Sequence, residues 1–107
     1  MITRELLEQA TERLVKNFQP EKIILFGSQV RGSADARSDV DILVICELHG
    51  NRRLMMTAMD RALRGLRLAR DIVVLTPTEF ERDRLIPGTI ARPAWREGKV
   101  LYERRAG

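Results

Sequence analysis

One cysteine, Cys46, rules out an internal disulfide in this 107-residue chain, and a reducing, cytoplasmic setting is the expectation. Cys46 sits in an apolar run and reads as a small core residue, not a reactive thiol. The one histidine, His49, has no partner cysteines or histidines at zinc-ligand spacing. One Tyr, one Trp and three Phe leave no stacking platform for nucleic-acid bases. Direct nucleic-acid binding is therefore the weakest functional reading. No apolar run approaches the roughly 20 residues that span a bilayer. Met1-Ile2-Thr3-Arg4-Glu5 leads into a charged, helix-like pattern instead of the apolar centre of a signal peptide. Two phosphate-binding signatures are missing, G-x-x-x-x-G-K-[ST] and G-x-G-x-x-G, which excludes P-loop and dinucleotide folds.

What remains is an ordinary globular composition, 44% hydrophobic and 32% charged, of a length that fits one domain over residues 1–107. The net charge is +4, and only Lys16, Lys22 and Lys99 of the basic residues are lysines. Arginine grips phosphate and carboxylate bidentately, so the excess suits anionic ligands. A general preference for arginine explains it equally well.

Hydrophobic spacing predicts a helix over 3–17, with Leu6, Leu7, Ala10, Leu14, Val15 and Phe18 as its apolar stripe and Pro20 beyond its end. A strand is expected at 23–26, a short helical turn from Ser28 to Arg31, a polar loop at 33–38 and a second strand at 39–46. A long helix is expected over 51–68, with Leu54, Met55, Ala58, Met59, Ala62 and Leu66 on one side. Its arginines, Arg52, Arg53, Arg61, Arg64 and Arg67, read mostly as a solvated face, some of them free to meet an acidic partner. Residues 71–75 form a third strand and Thr76-Pro77-Thr78-Glu79 a helix start. Pro87, Gly88 and Pro93 are expected to interrupt any helix between Leu85 and Arg96. A last strand covers 99–102, and 103–107 read as a frayed tail. The order α-β-α-β-α-β-α-β implies an α/β (α+β) domain with a small mixed β-sheet flanked by helices.

The chemistry is concentrated in Gly27-Ser28-Gln29-Val30-Arg31-Gly32 and Ser38-Asp39-Val40-Asp41. Residues i and i+2 of a strand share a face, which puts Asp39 and Asp41 side by side. Two carboxylates that close repel unless a cation intervenes, and magnesium is the natural hard cation. Asp71 opens a third strand expected to neighbour the second, so all three carboxylates can converge at one end of the sheet. Gly27 allows a sharp turn off the first strand. The N–H groups after it form an anion site, to which the Ser28 hydroxyl adds a donor. Arg31 can contact phosphate or clamp the loop, and Ser38 can cap the carboxylate strand or reach a phosphate. Taken singly each residue has an ordinary structural explanation; Asp71, for one, reads as a surface residue at a strand end. The combination points to phosphoryl or nucleotidyl transfer with two magnesium ions.

These residues resemble the signature of the nucleotidyltransferase superfamily that includes DNA polymerase beta. The short length and the ending Trp95-Arg96-Glu97-Gly98-Lys99-Val100-Leu101-Tyr102-Glu103 resemble the minimal nucleotidyltransferases, or MNT proteins. The likeness extends over nearly the whole chain, departing at Pro87 to Pro93, where a continuous helix is more usual. It implies that Gly27 and Ser28 bind nucleotide phosphates and that Asp39, Asp41 and Asp71 are catalytic metal ligands, with ATP as substrate. It also implies a partner: MNT proteins of this size accompany HEPN-domain ribonuclease toxins and neutralise them, in some pairs by transferring AMP to a tyrosine. Two alternatives remain open at this stage. One is a catalytically idle nucleotide-binding module that blocks the partner sterically. The other is a small-molecule nucleotidyltransferase, a class that usually carries an extra helical domain. A homodimer through exposed apolar positions of the last helix is a further expectation.

Overall fold

The computed structural model describes residues 3–27 and 40–105. Helix α1, Arg4–Phe18, starts where the Thr3 hydroxyl accepts the Leu6 N–H and ends where Gln19 turns left-handed at φ 50°. Strands β1 (Lys22–Phe26) and β2 (Val40–Ile45) follow, then α2 (Arg52–Ala62), β3 (Arg70–Leu75), α3 (Pro77–Asp83), α4 (Ala91–Glu97) and β4 (Lys99–Glu103). The four strands lie in the order β3-β2-β1-β4. β2 and β3 are parallel, with α2 as their crossover, and β1 runs antiparallel to both β2 and β4. The expected mixed sheet flanked by helices is what forms.

The central strands are apolar on both faces because both are covered. Ile23, Leu25, Ile42 and Val44 pack with Ala10 and Leu14 of α1 and with Met59 and Leu63 at the end of α2. The alternate residues Ile24, Leu43 and Ile45 pack with Phe80 of α3 and with Ala91 and Ala94 of α4. Cys46 belongs to the first cluster. Its Sγ lies 3.6 Å from the Phe18 carbonyl, and burial pushes the thiol pKa up, as suits a core residue.

Four expectations need correction. The helix expected to reach residue 68 stops at Ala62, and the chain turns through Gly65 at φ +94°. Leu54 (69% exposed) and Ala58 lie on its outer side, while Met59 and Leu63 are buried. Pro93 does not interrupt a helix. It occupies the first turn of α4, where a backbone N–H has no intrahelical acceptor to lose. Residues 103 and 104 are not frayed either: Glu103 pairs with Lys22 in the sheet, and the Arg104 N–H donates to the Glu21 carbonyl at 2.8 Å.

Two side-chain ties hold the layers. At the carboxyl ends of β2 and β3, the Thr76 hydroxyl accepts the Glu79 N–H and Glu79 accepts the Thr76 N–H, a reciprocal cap on α3. Both Glu79 oxygens also accept from Arg52 at 2.6 Å, joining the start of α2 to the start of α3. No helix among the described residues is long and apolar enough to cross a membrane.

Candidate active site

The opposite end of the sheet gathers the residues with chemistry. Gly27 follows the last residue of β1, Asp41 is the second residue of β2, and Asp71 is the second residue of β3. Asp41 stands opposite Phe26 on one side and in register with Asp71 on the other. Paired residues of neighbouring strands share a face, so both carboxylates belong to the face that carries Leu43 and Ile45 further along. Adjacent strands are about 4.8 Å apart, which leaves two anionic groups as immediate neighbours. Asp41 is half-buried and Asp71 exposed.

Gly27 is fixed at this place by two constraints. Its φ is +93°, a conformation that L side chains rarely adopt. A Cβ on it would also lie 2.3 Å from Asp41 Oδ2. The Asp41 carboxylate thus rests directly against the turn that leaves β1. The close approach ties the expected phosphate turn to the expected metal ligand.

Ser28, Arg31, Ser38 and Asp39 lie outside the described residues. Among the described residues no set of three or more His, Cys, Asp or Glu side chains is placed to hold a metal ion. Asp41 and Asp71 are the acidic pair that could contribute to one, and paired carboxylate oxygens suit a hard divalent cation.

The start of β3 is held by a residue that local sequence patterns do not single out. Arg70 Nε donates to Asp60 Oδ1 at 3.0 Å, and its other nitrogens donate to the Leu68 and Asp60 carbonyls. The Asp60–Arg70 pair spans the α2–β3 connection, so only the fold brings it together. It fixes the backbone immediately before Asp71. A groove of about 490 Å³ lies elsewhere. Phe80, Arg84 and Trp95 line it with Lys22 and Ile45, at the far end of the strands, about 13 Å from Asp41 at 3.3 Å per residue.

The family model for polymerase beta nucleotidyltransferases matches residues 8–106. The chain belongs to that family. Its members generally use a nucleoside triphosphate and a divalent metal. Among solved structures, the chain is similar to a protein from Sulfolobus solfataricus assigned as a nucleotidyltransferase, whose crystal structure was determined at 1.40 Å resolution. The two are 24% identical with a TM-score of 0.65, over 94% of this chain and 79% of that one. That likeness speaks for the fold. No curated protein matches the sequence. The fold places Gly27 just beyond β1 and Asp41 and Asp71 near the starts of β2 and β3, so the three candidate residues lie at one end of the sheet.

Proposed function

We propose that this nucleotidyltransferase is magnesium-dependent and transfers AMP from ATP to a tyrosine hydroxyl of a partner HEPN toxin, acting as the antitoxin of the pair. The observation that carries the transfer chemistry is the register of Asp41 with Asp71 beside the Gly27 turn. The partner rests on the resemblance of the Trp95–Glu103 ending to MNT proteins.

Gly27 opens the turn whose following N–H groups, with Ser28 and Arg31, receive the triphosphate. Ser38 adds a phosphate contact or caps the carboxylate strand. Asp39, Asp41 and Asp71 would hold two magnesium ions. When bound, these ions offset the carboxylate repulsion and stabilise charge on the phosphates. The acceptor hydroxyl oxygen forms a bond to the α-phosphorus, the bond to the bridging oxygen breaks, and pyrophosphate leaves. Asp71, the exposed carboxylate, takes the hydroxyl proton. Asp41, pressed against Gly27, keeps its place beside the phosphate turn. Leu85, Ile86, Ile90 and Trp95, 44–59% exposed, are apolar positions for the partner to cover.

Mass spectrometry of the co-expressed HEPN partner after incubation with this chain, ATP and magnesium tests the reading. A mass gain in steps of one AMP, lost in Asp41→Asn and Asp71→Asn, is expected. A stable complex with no mass change would replace transfer by steric blocking.

A further inference from the structure

The acceptor has to reach Asp71, and the surface leading there carries an excess of positive charge. Arg53, Thr57 and Arg61 recur at i, i+4 and i+8 along α2, forming one stripe, and Arg64 follows in the turn beyond the helix. Two clefts adjoin along this stripe. Asp71 and Arg53 line one of about 320 Å³, and Arg61 and Arg64 line another of about 330 Å³. Thr57, Asp60 and Arg70 line both, so the two form one trough. Its acidic wall residue other than Asp71 is already engaged, because Asp60 accepts from Arg70. Arg53, Arg61 and Arg64 form no ion pair among the described residues. Unpaired guanidiniums on one side of a helix repel one another, and an anionic ligand relieves that repulsion.

We infer that this trough is the docking track for an acidic polypeptide segment of the acceptor protein, running from Arg64 to Arg53 and presenting the hydroxyl at Asp71. The inference deepens the transfer reading above and rests on it. Arg53 and Arg61 are eight positions apart on α2, roughly 12 Å at helical rise, which about four residues of extended chain would span. Arginine forks match carboxylates two bonds at a time, so glutamate or aspartate side chains are the fitting partners. A nucleic-acid strand fits less well. The apolar walls are Met56, Leu66 and Ile72, with no aromatic ring for a base to stack on.

Fluorescence anisotropy with a labelled glutamate-rich peptide carrying one tyrosine tests the track at low salt, beside an oligouridylate of equal charge. The combined variant Arg53→Glu, Arg61→Glu, Arg64→Glu is expected to weaken peptide binding by about tenfold or more, as removal of several charge contacts does. A control, Arg92→Glu, Arg96→Glu, Arg105→Glu, makes the same charge change away from the trough and is expected to leave binding within about twofold. Equal loss in both variants would reduce the effect to net charge and overturn the inference. So would undiminished binding to the track variant, or tighter track-dependent binding of the oligouridylate. If circular dichroism shows the glutamate variant unfolded, the Arg→Gln version of the same three positions takes its place. Titration of magnesium–ATP into each protein separates the two claims. Peptide binding through the track without nucleotide binding would retain the docking surface and remove the transfer chemistry. Nucleotide binding with no effect of the track residues would remove the track alone.

Discussion

At the scale of single residues, the contact between Gly27 and Asp41 carries the most consequence. Gly27→Ala adds a methyl group where Asp41 Oδ2 already is, at a backbone φ of +93°. The left-handed conformation alone costs an L residue about 1–2 kcal/mol, and displacing Asp41 adds to that. The expected outcome is a lower thermal midpoint together with loss of nucleotide transfer, read by calorimetry and by release of pyrophosphate. Asp41→Asn and Asp71→Asn should separate the two effects. Each removes a charge from the proposed metal site, so transfer should fall by roughly 10²-fold or more. Because Asp71→Asn also removes one of two register-paired carboxylates, the thermal midpoint of that variant in metal-free buffer should hold or rise. A drop in stability as large as the drop in activity would assign these aspartates to the fold instead.

At the scale of elements, the Arg52–Glu79 pair joins helices on the two faces of the sheet. Hydrogen bonds from Arg52 and from the Thr76 N–H hold the Glu79 carboxyl below its ordinary value of 4.5. A carboxyl depressed in the folded state stabilises the fold above the unfolded value, and that contribution is lost as pH falls through the folded one. Acid unfolding of the wild type should therefore steepen below about pH 4.5. In Glu79→Gln that part of the pH dependence should flatten, while stability at neutral pH drops. Chemical denaturation across that interval measures both. The Thr76 cap is a second tie at the same corner, and Thr76→Ala should cost about 1 kcal/mol.

Element starts were the most legible feature of the chain. Thr3 and Thr76 announce their helices by side-chain caps that depend only on neighbours three residues away. Helix ends were less legible. The apolar spacing continues past Ala62 to Leu66 and masks the local stop signal, Gly65. The stop comes from Gly65 turning the chain and from Arg13, whose guanidinium donates to the Ala62 and Arg64 carbonyls from the neighbouring helix. Proline misleads in the opposite direction at Pro93, because a proline is tolerated in the first turn and disruptive only beyond it.

At the scale of the whole molecule, the sheet divides the protein's surfaces by location. The carboxylates occupy one end, the groove with Trp95 and Arg84 occupies the other, and the arginine trough flanks Asp71. A nucleotide bound at the carboxylate end should stabilise the fold by mass action. At a magnesium–ATP concentration about 100 times the dissociation constant, the gain is about 2.7 kcal/mol. The thermal midpoint should rise with magnesium and ATP together, rise little with ATP in chelator, and rise little in Asp41→Asn. An equal rise with ATP in chelator would place the nucleotide away from the carboxylates.

The amino-acid sequence by itself determined the kinds of element and the residue types of the site. Period-two and helical spacing respond to burial, and caps and glycine turns respond to local backbone geometry, so both are written within a few residues. Only the tertiary structure decided that Asp71 stands in register with Asp41, that Asp41 fills the space over Gly27, and that Arg70 reaches Asp60. Those contacts join strands and helices distant in the chain, and they follow from strand order and register, which no local pattern encodes. The same holds for the arginines of α2. Along the chain they read as a solvated face, and the packing of α2 against β3 sets Arg53 and Arg61, with Arg64 just beyond the helix, along the clefts that adjoin Asp71.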